Sequence, residues 1–200
     1  MINYLSLDTE ATGLTKECVL IQLALVPVDT TKRRVASELG REWLVQCASY
    51  EELEPTLNPW VRENNKTLIQ RAHAQGMPVD KLAVTVAEYL SSPEIKTLFG
   101  NSRPVILGKS LSALDIPLLT RTFGEAFMHK YFHHHTVDVT CVARFLVDAG
   151  VLPPGCESTS QIVKHYGIRE VASHTALNDA SDMAQIYLKM LEQMKPAAKA

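Results

Sequence analysis

Ten residues from Val19 to Val28 read Val-Leu-Ile-Gln-Leu-Ala-Leu-Val-Pro-Val, interrupted only by Gln22 and ended by Pro27-Val28-Asp29. An apolar run without polar alternation fits a strand covered on both faces. Such a strand belongs in the middle of a sheet, with helices packed against it.

The flanking sequence supplies the neighbours. Ile2 to Asp8 reads as a strand with Leu5 and Leu7 among its apolar residues, broken by Thr12-Gly13-Leu14. Glu42 to Cys47 reads as a third strand, and the short connections predict an antiparallel meander. The pattern then turns helical. Asn58-Pro59-Trp60 looks like a helix start, with Asn58 as N-cap and Pro59 at the first position. Leu82, Val86 and Leu90 recur at four-residue spacing in a helix over Val79–Leu90. Pro104 to Gly108 is a short buried strand, and Asp115 to Phe123 a helix. Asp138 caps a helix from Val139 to Ala149, and Ser158 to Tyr166 is another. A last helix from about Ala176 to Met194 buries Ala176, Ala180, Met183, Tyr187, Met190 and Met194. Strands first, then alternating helix and strand, predicts an α/β fold with a mixed sheet flanked by helices.

Composition narrows the class. The chain has 200 residues, 46% hydrophobic and 21% charged, with a formal net charge of −2. One domain accommodates that length. The charge argues against a protein that coats long nucleic acid, because such domains are usually basic. It fits a site whose carboxylates hold cations. Cys18, Cys47, Cys141 and Cys156 form no Cys-x-x-Cys pair, and buried free thiols are the expectation. With no signal-peptide pattern and no apolar run of membrane length, a reducing cytoplasm is the expected setting.

Three segments carry carboxylates in chemically suggestive positions. In Leu7-Asp8-Thr9-Glu10, residues two apart share one strand face. Asp8 and Glu10 then project together with Cα atoms roughly 6.6 Å apart. Two like charges on a mostly apolar strand need a compensator, and a hard divalent cation supplies one. Two solvated carboxylates at an exposed strand end are the plain alternative. Asp115 stands where a helix begins, a position that also suits capping or the helix dipole. Asp179 lies at the edge of the last helix's buried stripe. His174, five residues earlier, would lie about 140° away on the same helix. It converges with Asp179 only from the preceding loop.

Taken in order, these segments resemble the histidine-bearing (DEDDh) branch of the DEDD family of 3′→5′ exonucleases. Asp8, Glu10, Thr12 and Gly13 match its first motif and Asp115 its second. His174, Ala176 and Asp179 match its third, His-x-Ala-x-x-Asp. The likeness is greatest to oligoribonuclease and RNase T-type enzymes. It includes Asn58-Pro59-Trp60-Val61-Arg62, Gly108-Lys109-Ser110, and Tyr131-Phe132-His133 leading into Val137-Asp138-Val139-Thr140. Where oligoribonucleases carry a His, Tyr and Arg set against the 5′ phosphate, this chain has Asn64, His134 and His135. A strict dinucleotide preference is therefore not implied.

The resemblance implies a ribonuclease H-like mixed five-stranded sheet flanked by helices. It would be a single exonuclease domain over residues 1–195, with a flexible tail over 196–200. It implies two divalent cations, Mg²⁺ or Mn²⁺, held by Asp8, Glu10, Asp179 and Asp115. Such a pair, roughly 4 Å apart, can stabilise both attacking and leaving oxygens. His174 would be the general base. Thr12, Gly13, Leu14, Trp60, Ser110 and His135 would contact substrate, with Leu14 against the terminal base. The implied substrate is single-stranded or short RNA, cut to nucleoside 5′-monophosphates. The alternatives are a DNA 3′→5′ exonuclease and a non-catalytic nucleic-acid-binding module. No membrane partner is expected, and a homodimer follows from the oligoribonuclease likeness alone. Arg62, Lys66, Lys109, Arg121 and Arg144 are candidate phosphate contacts. His129, His133, His134 and His135 offer a competing transition-metal site, although successive residues do not converge easily on one ion.

Overall fold

All ten residues of the second strand are buried, as its apolar run requires. A computed structural model describes residues 2–169 and 175–194. The strands are β1 (Tyr4–Ala11), β2 (Leu20–Asp29), β3 (Arg34–Val35), β4 (Arg41–Leu44), β5 (Val105–Gly108) and β6 (Thr136–Asp138). Between β4 and β5 run the helices α1 (Tyr50–Leu53), α2 (Pro59–Asn64), α3 (Lys66–Gln75), α4 (Val79–Leu90) and α5 (Pro93–Phe99). After β5 come α6 (Asp115–Phe123), α7 (Glu125–Tyr131), α8 (Val139–Asp148), α9 (Thr159–His165) and α10 (Ala176–Gln193).

The strands form one mixed sheet in the order β3-β2-β1-β5-β6, with β4 also on β2. β1, β2 and β4 make the antiparallel meander, while β5 and β6 join parallel to β1. The sheet has six strands rather than the expected five. The extra one, β3, is two residues long and borders the outer edge of β2 beyond β4. A dipeptide is too short to show any periodicity, which is why sequence reading misses it.

Two cores lie on opposite faces of the sheet. Leu5 and Leu7 face Leu82, Val86, Leu118 and Leu119 of α4 and α6. On the other face, α8, α9 and α10 pack together through Ala143, Leu146, Ile162, Met183 and Ile186. The last helix buries Ala176, Ala180, Met183 and Met190 as its periodicity predicts, but Met194 is 53% exposed. It is the C-cap residue, past the helix's last turn on the sheet. All four cysteines are free. Cys18 and Cys156 are buried, whereas Cys47 is only partly covered and Cys141 is exposed. Among the described residues, no helix is long and apolar enough to cross a membrane.

Candidate active site

The parallel ladder between β1 and β5 ends at Ser6 opposite Leu107, two residues before Asp8. Past Gly108 the chain leaves the sheet at the carboxyl ends of the parallel strands, where ligands of α/β sheets usually bind. The β1–β2 register slips between Glu10 and Ala11. A bulge there re-aims the end of the strand.

Asp8 and Glu10 share the β1 face that meets α10. The Ser6 hydroxyl on that face donates to the Ala180 carbonyl at 2.7 Å. Ala176 and Ala180 pack on Ala24 and Val26 of β2 with no exposed surface among them. Four small or branched side chains bring the helix axis close to the sheet. The first turn of α10 is pinned as well. The Thr175 side chain accepts from the Asn178 N–H, Gln22 Oε1 from the Ala176 N–H at 3.2 Å, and Glu42 Oε2 from the Leu177 N–H at 3.3 Å. These acceptors satisfy amides that a helix end leaves orphaned. Gln22, which merely interrupts the apolar run in sequence, is thus an anchor for the helix that carries Asp179.

The result is one acidic cluster. Carboxylate oxygens of Asp8, Glu10 and Asp179 lie within 4.8 Å of one another. Asp115 stands behind them, approaching from α6 on the other face of β1. It is 7% exposed and accepts from the Thr9 hydroxyl at 2.6 Å. It caps nothing: the N-cap of α6 is Leu114, with no side-chain cap bond. The capping reading of Asp115 is therefore replaced by a tertiary one.

Burial makes these groups hard to ionise together. Burial pushes Asp8 well above the carboxylate range, and the charges of Asp115, Asp179 and Glu10 add to the effect. Glu10 rises to about 7 through burial and then the Asp179 charge, partly offset by a hydrogen bond from Asn65. Asp115 rises to about 6, again chiefly through burial, with the Thr9 hydroxyl opposing. Such a set holds a proton or a cation in preference to bare charge. All donors are oxygens, which fits a hard divalent cation such as Mg²⁺ or Mn²⁺. Asp8, Glu10 and Asp179 could hold it.

Several contributors went unread in the sequence. Arg169 reaches Asp179 and also Asp182, the latter at 2.5 Å. Asp182 is buried at 5% exposure one turn further along α10. Asn65, buried at the start of α3, braces Glu10 and donates to the Ala11 carbonyl at 3.5 Å. Its neighbour Asn64, singled out by the family likeness, is exposed and donates to the Trp60 carbonyl. At the end of β5, a Cβ on Gly108 would stand 2.8 Å from the Leu7 carbonyl oxygen and 2.6 Å from Leu111. Only glycine permits that approach. Two residues on, Ser110 takes a positive φ of 50°.

The remaining candidates are spread around this cluster. Thr12 is buried, and its hydroxyl oxygen accepts from the Val19 N–H at 3.0 Å, closing the β1–β2 turn. Leu14 and Trp60 are exposed at 77% and 54%. His135 stands at the opposite end of β6 from Asp138, away from the carboxylates. His133, His134 and His135 do converge, contrary to expectation, with ring nitrogens within 4.8 Å of one another. The bend between α7 and β6 turns all three to one side. His133 Nδ1 accepts from the His135 N–H at 3.0 Å, so that nitrogen's lone pair is engaged. His129 is not in the group, and its carbonyl accepts from Arg103. His174 and the tail over 196–200 lie outside the described residues.

No family model matches the sequence, and no curated protein matches it. Solved structures do match, over nearly the whole chain. The nuclease domain of 3′hExo, a DEDDh family member, bound to rAMP, superposes with a TM-score of 0.65 at 13% identity, covering 96% of this chain and 92% of that one. Cell-death related nuclease 4 gives 0.69 at 16% identity, over 96% of this chain and 64% of its own. A 3′-exonuclease solved in 3′-end-specific recognition of the histone mRNA stem-loop gives 0.62 at 13%, over 96% and 82%. The fold is that of DEDDh-family exonuclease domains. It is the ribonuclease H-like architecture that the motif order implied, with one strand more.

Proposed function

We propose that this protein is a divalent-cation-dependent 3′→5′ exonuclease that hydrolyses single-stranded or short RNA to nucleoside 5′-monophosphates. The observation that carries the reading is the convergence of Asp8, Glu10 and Asp179 oxygens within 4.8 Å, at the carboxyl ends of the parallel strands. Their burial and raised proton affinity support a role in holding cations. The matching domains are 3′-exonucleases, one of them bound to rAMP, which supports RNA over DNA.

Two divalent cations, when bound, would supply positive charge to the attacking and leaving oxygens. The chain's own groups do the rest. Asp8, Glu10 and Asp179 hold the site, and Asp115, fixed by Thr9, adds charge from behind. His174 takes a proton from the attacking water, a task its ordinary pKa of about 6.5 suits near neutrality. Leu14 and Trp60 present apolar surface to the terminal base, with Gly13 preceding Leu14 in the same turn. Thr12 holds that turn, Ser110 is a substrate contact beside Asp8, and His135, at the far end of β6, would meet only a part of the substrate distant from the reacting phosphate.

The test is hydrolysis of 5′-labelled RNA and DNA oligomers of several lengths with Mg²⁺ or Mn²⁺, beside Asp8→Ala and His174→Ala. A ladder shortening from the 3′ end, lost in both variants, is expected, with RNA cut faster. No cleavage of any oligomer by folded, metal-loaded wild type would leave a nucleic-acid-binding module instead.

A further inference from the structure

A cavity of about 1260 Å³ opens beside the acidic cluster, between the ends of β5 and β6, helices α8 and α9, and the first turn of α10. Pockets for one drug-sized ligand run roughly 300–1,000 Å³, so this space exceeds what a single nucleotide fills. Asp8 and Asp179 form one end of it. Four cations line the rest: Lys109, Arg144, Lys164 and Arg169. Among the described residues, Lys109, Arg144 and Lys164 form no ion pair with any carboxylate. The further carboxylate on the wall, Glu157, is turned to the Gly155 N–H at 2.9 Å. The Ser110 hydroxyl adds a donor, the Thr140 hydroxyl being given to Asp138, and among the described residues the buried Thr159 Oγ1 has no partner. A protein of net charge −2 therefore gathers unpaired cations in one concave place.

Leu14 and Trp60 are not on this wall. Trp60 lies on α2, which packs with α3 on Ile21 of β2, and Leu14 lies in the turn that joins β1 to β2. The cavity belongs to the β5–β6 side. The acidic cluster thus has an apolar flank on one side and a cationic flank on the other.

We infer that this cavity binds the phosphodiester backbone of the substrate on the 5′ side of the scissile bond, so that the protein favours oligonucleotides longer than a dinucleotide. The inference rests on the exonuclease reading for its direction, because that reading assigns the terminal base to the Leu14–Trp60 flank. Arg144 and Lys164 grip phosphates beyond the reacting one, and Lys109 lines the end of the cavity nearest Asp8, whose ionised form its charge favours. Unpaired cations cost little to redirect toward phosphate, whereas Arg169 is already committed to Asp179 and Asp182.

The test uses the full chain and the double variant Arg144→Ala/Lys164→Ala. Binding of 5′-fluorescein RNA dimers and hexamers is followed by anisotropy with Ca²⁺ in place of Mn²⁺, over a range of salt. Hydrolysis is followed in parallel with Mn²⁺. Both substituted residues are exposed, and equal melting temperatures would verify the fold. Wild type should bind the hexamer at least on the order of tenfold more tightly than the dimer. The double variant should lose on the order of tenfold on the hexamer. Its dependence of log K on log salt should flatten by about 1.4, for two single-strand phosphate contacts. Equal binding of both lengths by wild type, or hexamer binding by the variant like that of wild type, would overturn the inference. If oligomers are cleaved without length preference, the cavity assignment falls and the exonuclease reading stands. If the hexamer is bound as expected and nothing is cleaved, the assignment of a cationic binding cavity stands and the exonuclease reading falls.

Discussion

Replacing Glu10 by glutamine should stabilise the metal-free protein at pH 8 while abolishing its response to cations. In the folded chain the Glu10 carboxyl is raised from 4.5 to about 7, first by burial and then by Asp179. Between those values the folded protein holds a proton that the unfolded chain has released. Stability from this group is therefore present at low pH and lost as pH rises through the window. At 1.36 kcal/mol per pH unit the loss is at most about 3 kcal/mol, and solvent relaxation around a partly exposed group reduces it to roughly 1–3 kcal/mol. Glutamine matches the volume, keeps a partner for Asn65 and removes the charge. In chelator at pH 8, E10Q should melt roughly 2–12 °C above wild type, at 2–4 °C per kcal/mol for a chain of this size. At pH 5 the difference should shrink to a fraction of that. Added Mn²⁺ should reverse the order, because only wild type gains binding energy in the folded state. Differential scanning fluorimetry in two buffers with and without Mn²⁺ reads all of this. An E10Q protein that melts below wild type in chelator at pH 8, or gains equally at both pH values, would refute the electrostatic reasoning.

Three further outcomes follow from the same geometry. Mn²⁺ affinity should fall about tenfold or more from pH 8 to pH 6, because the cation must displace protons from Glu10 and Asp8; calorimetry in buffers of different ionisation enthalpy would register the released protons, and a flat profile would contradict the assignment. Gln22→Leu should cost about 1–3 kcal/mol by leaving the Ala176 N–H buried and unpaired, seen as a lower urea midpoint, whereas a neutral result would mean that water replaces the amide. Gly108→Ala should cost about 1–3 kcal/mol through the forced contacts with Leu7 and Leu111, and should weaken Mn²⁺ binding by displacing β1; a variant unchanged in both would show that the loop after β5 yields freely.

The parts legible in the sequence are those governed by local periodicity. β2 declares itself by an apolar run broken only at Gln22, and α10 by its repeat of alanines and methionines. Asp8 and Glu10 follow from the two-residue period of a strand, and their juxtaposition with Asp179 from motif order. What stayed hidden depends on contacts between distant segments. Gln22 looks like a flaw in a hydrophobic run until α10 is laid across it. Asp115 looks like a cap until Thr9 is seen 2.6 Å away. Arg169 and Asp182 find each other only after α9 and α10 pack, and Asn65 differs from Asn64 by burial alone. The histidine run defeats expectation for the opposite reason, since a tight bend brings neighbours together where an extended chain would separate them.

The alanine face of α10 makes the helix a spacer as well as a support. With Ala176 and Ala180 against Ala24 and Val26, the distance from helix to sheet is set by methyl groups, and Asp179 moves with that distance while Asp8 and Glu10 do not. The gap between carboxylates is therefore decided by side-chain volume one turn behind them. Mg²⁺ demands near-ideal octahedral coordination at about 2.0–2.1 Å, whereas Ca²⁺ tolerates longer and less regular bonds. A methylene added at Ala180 acts as a shim, and ion selectivity, which distinguishes those two cations, would register it before the fold does.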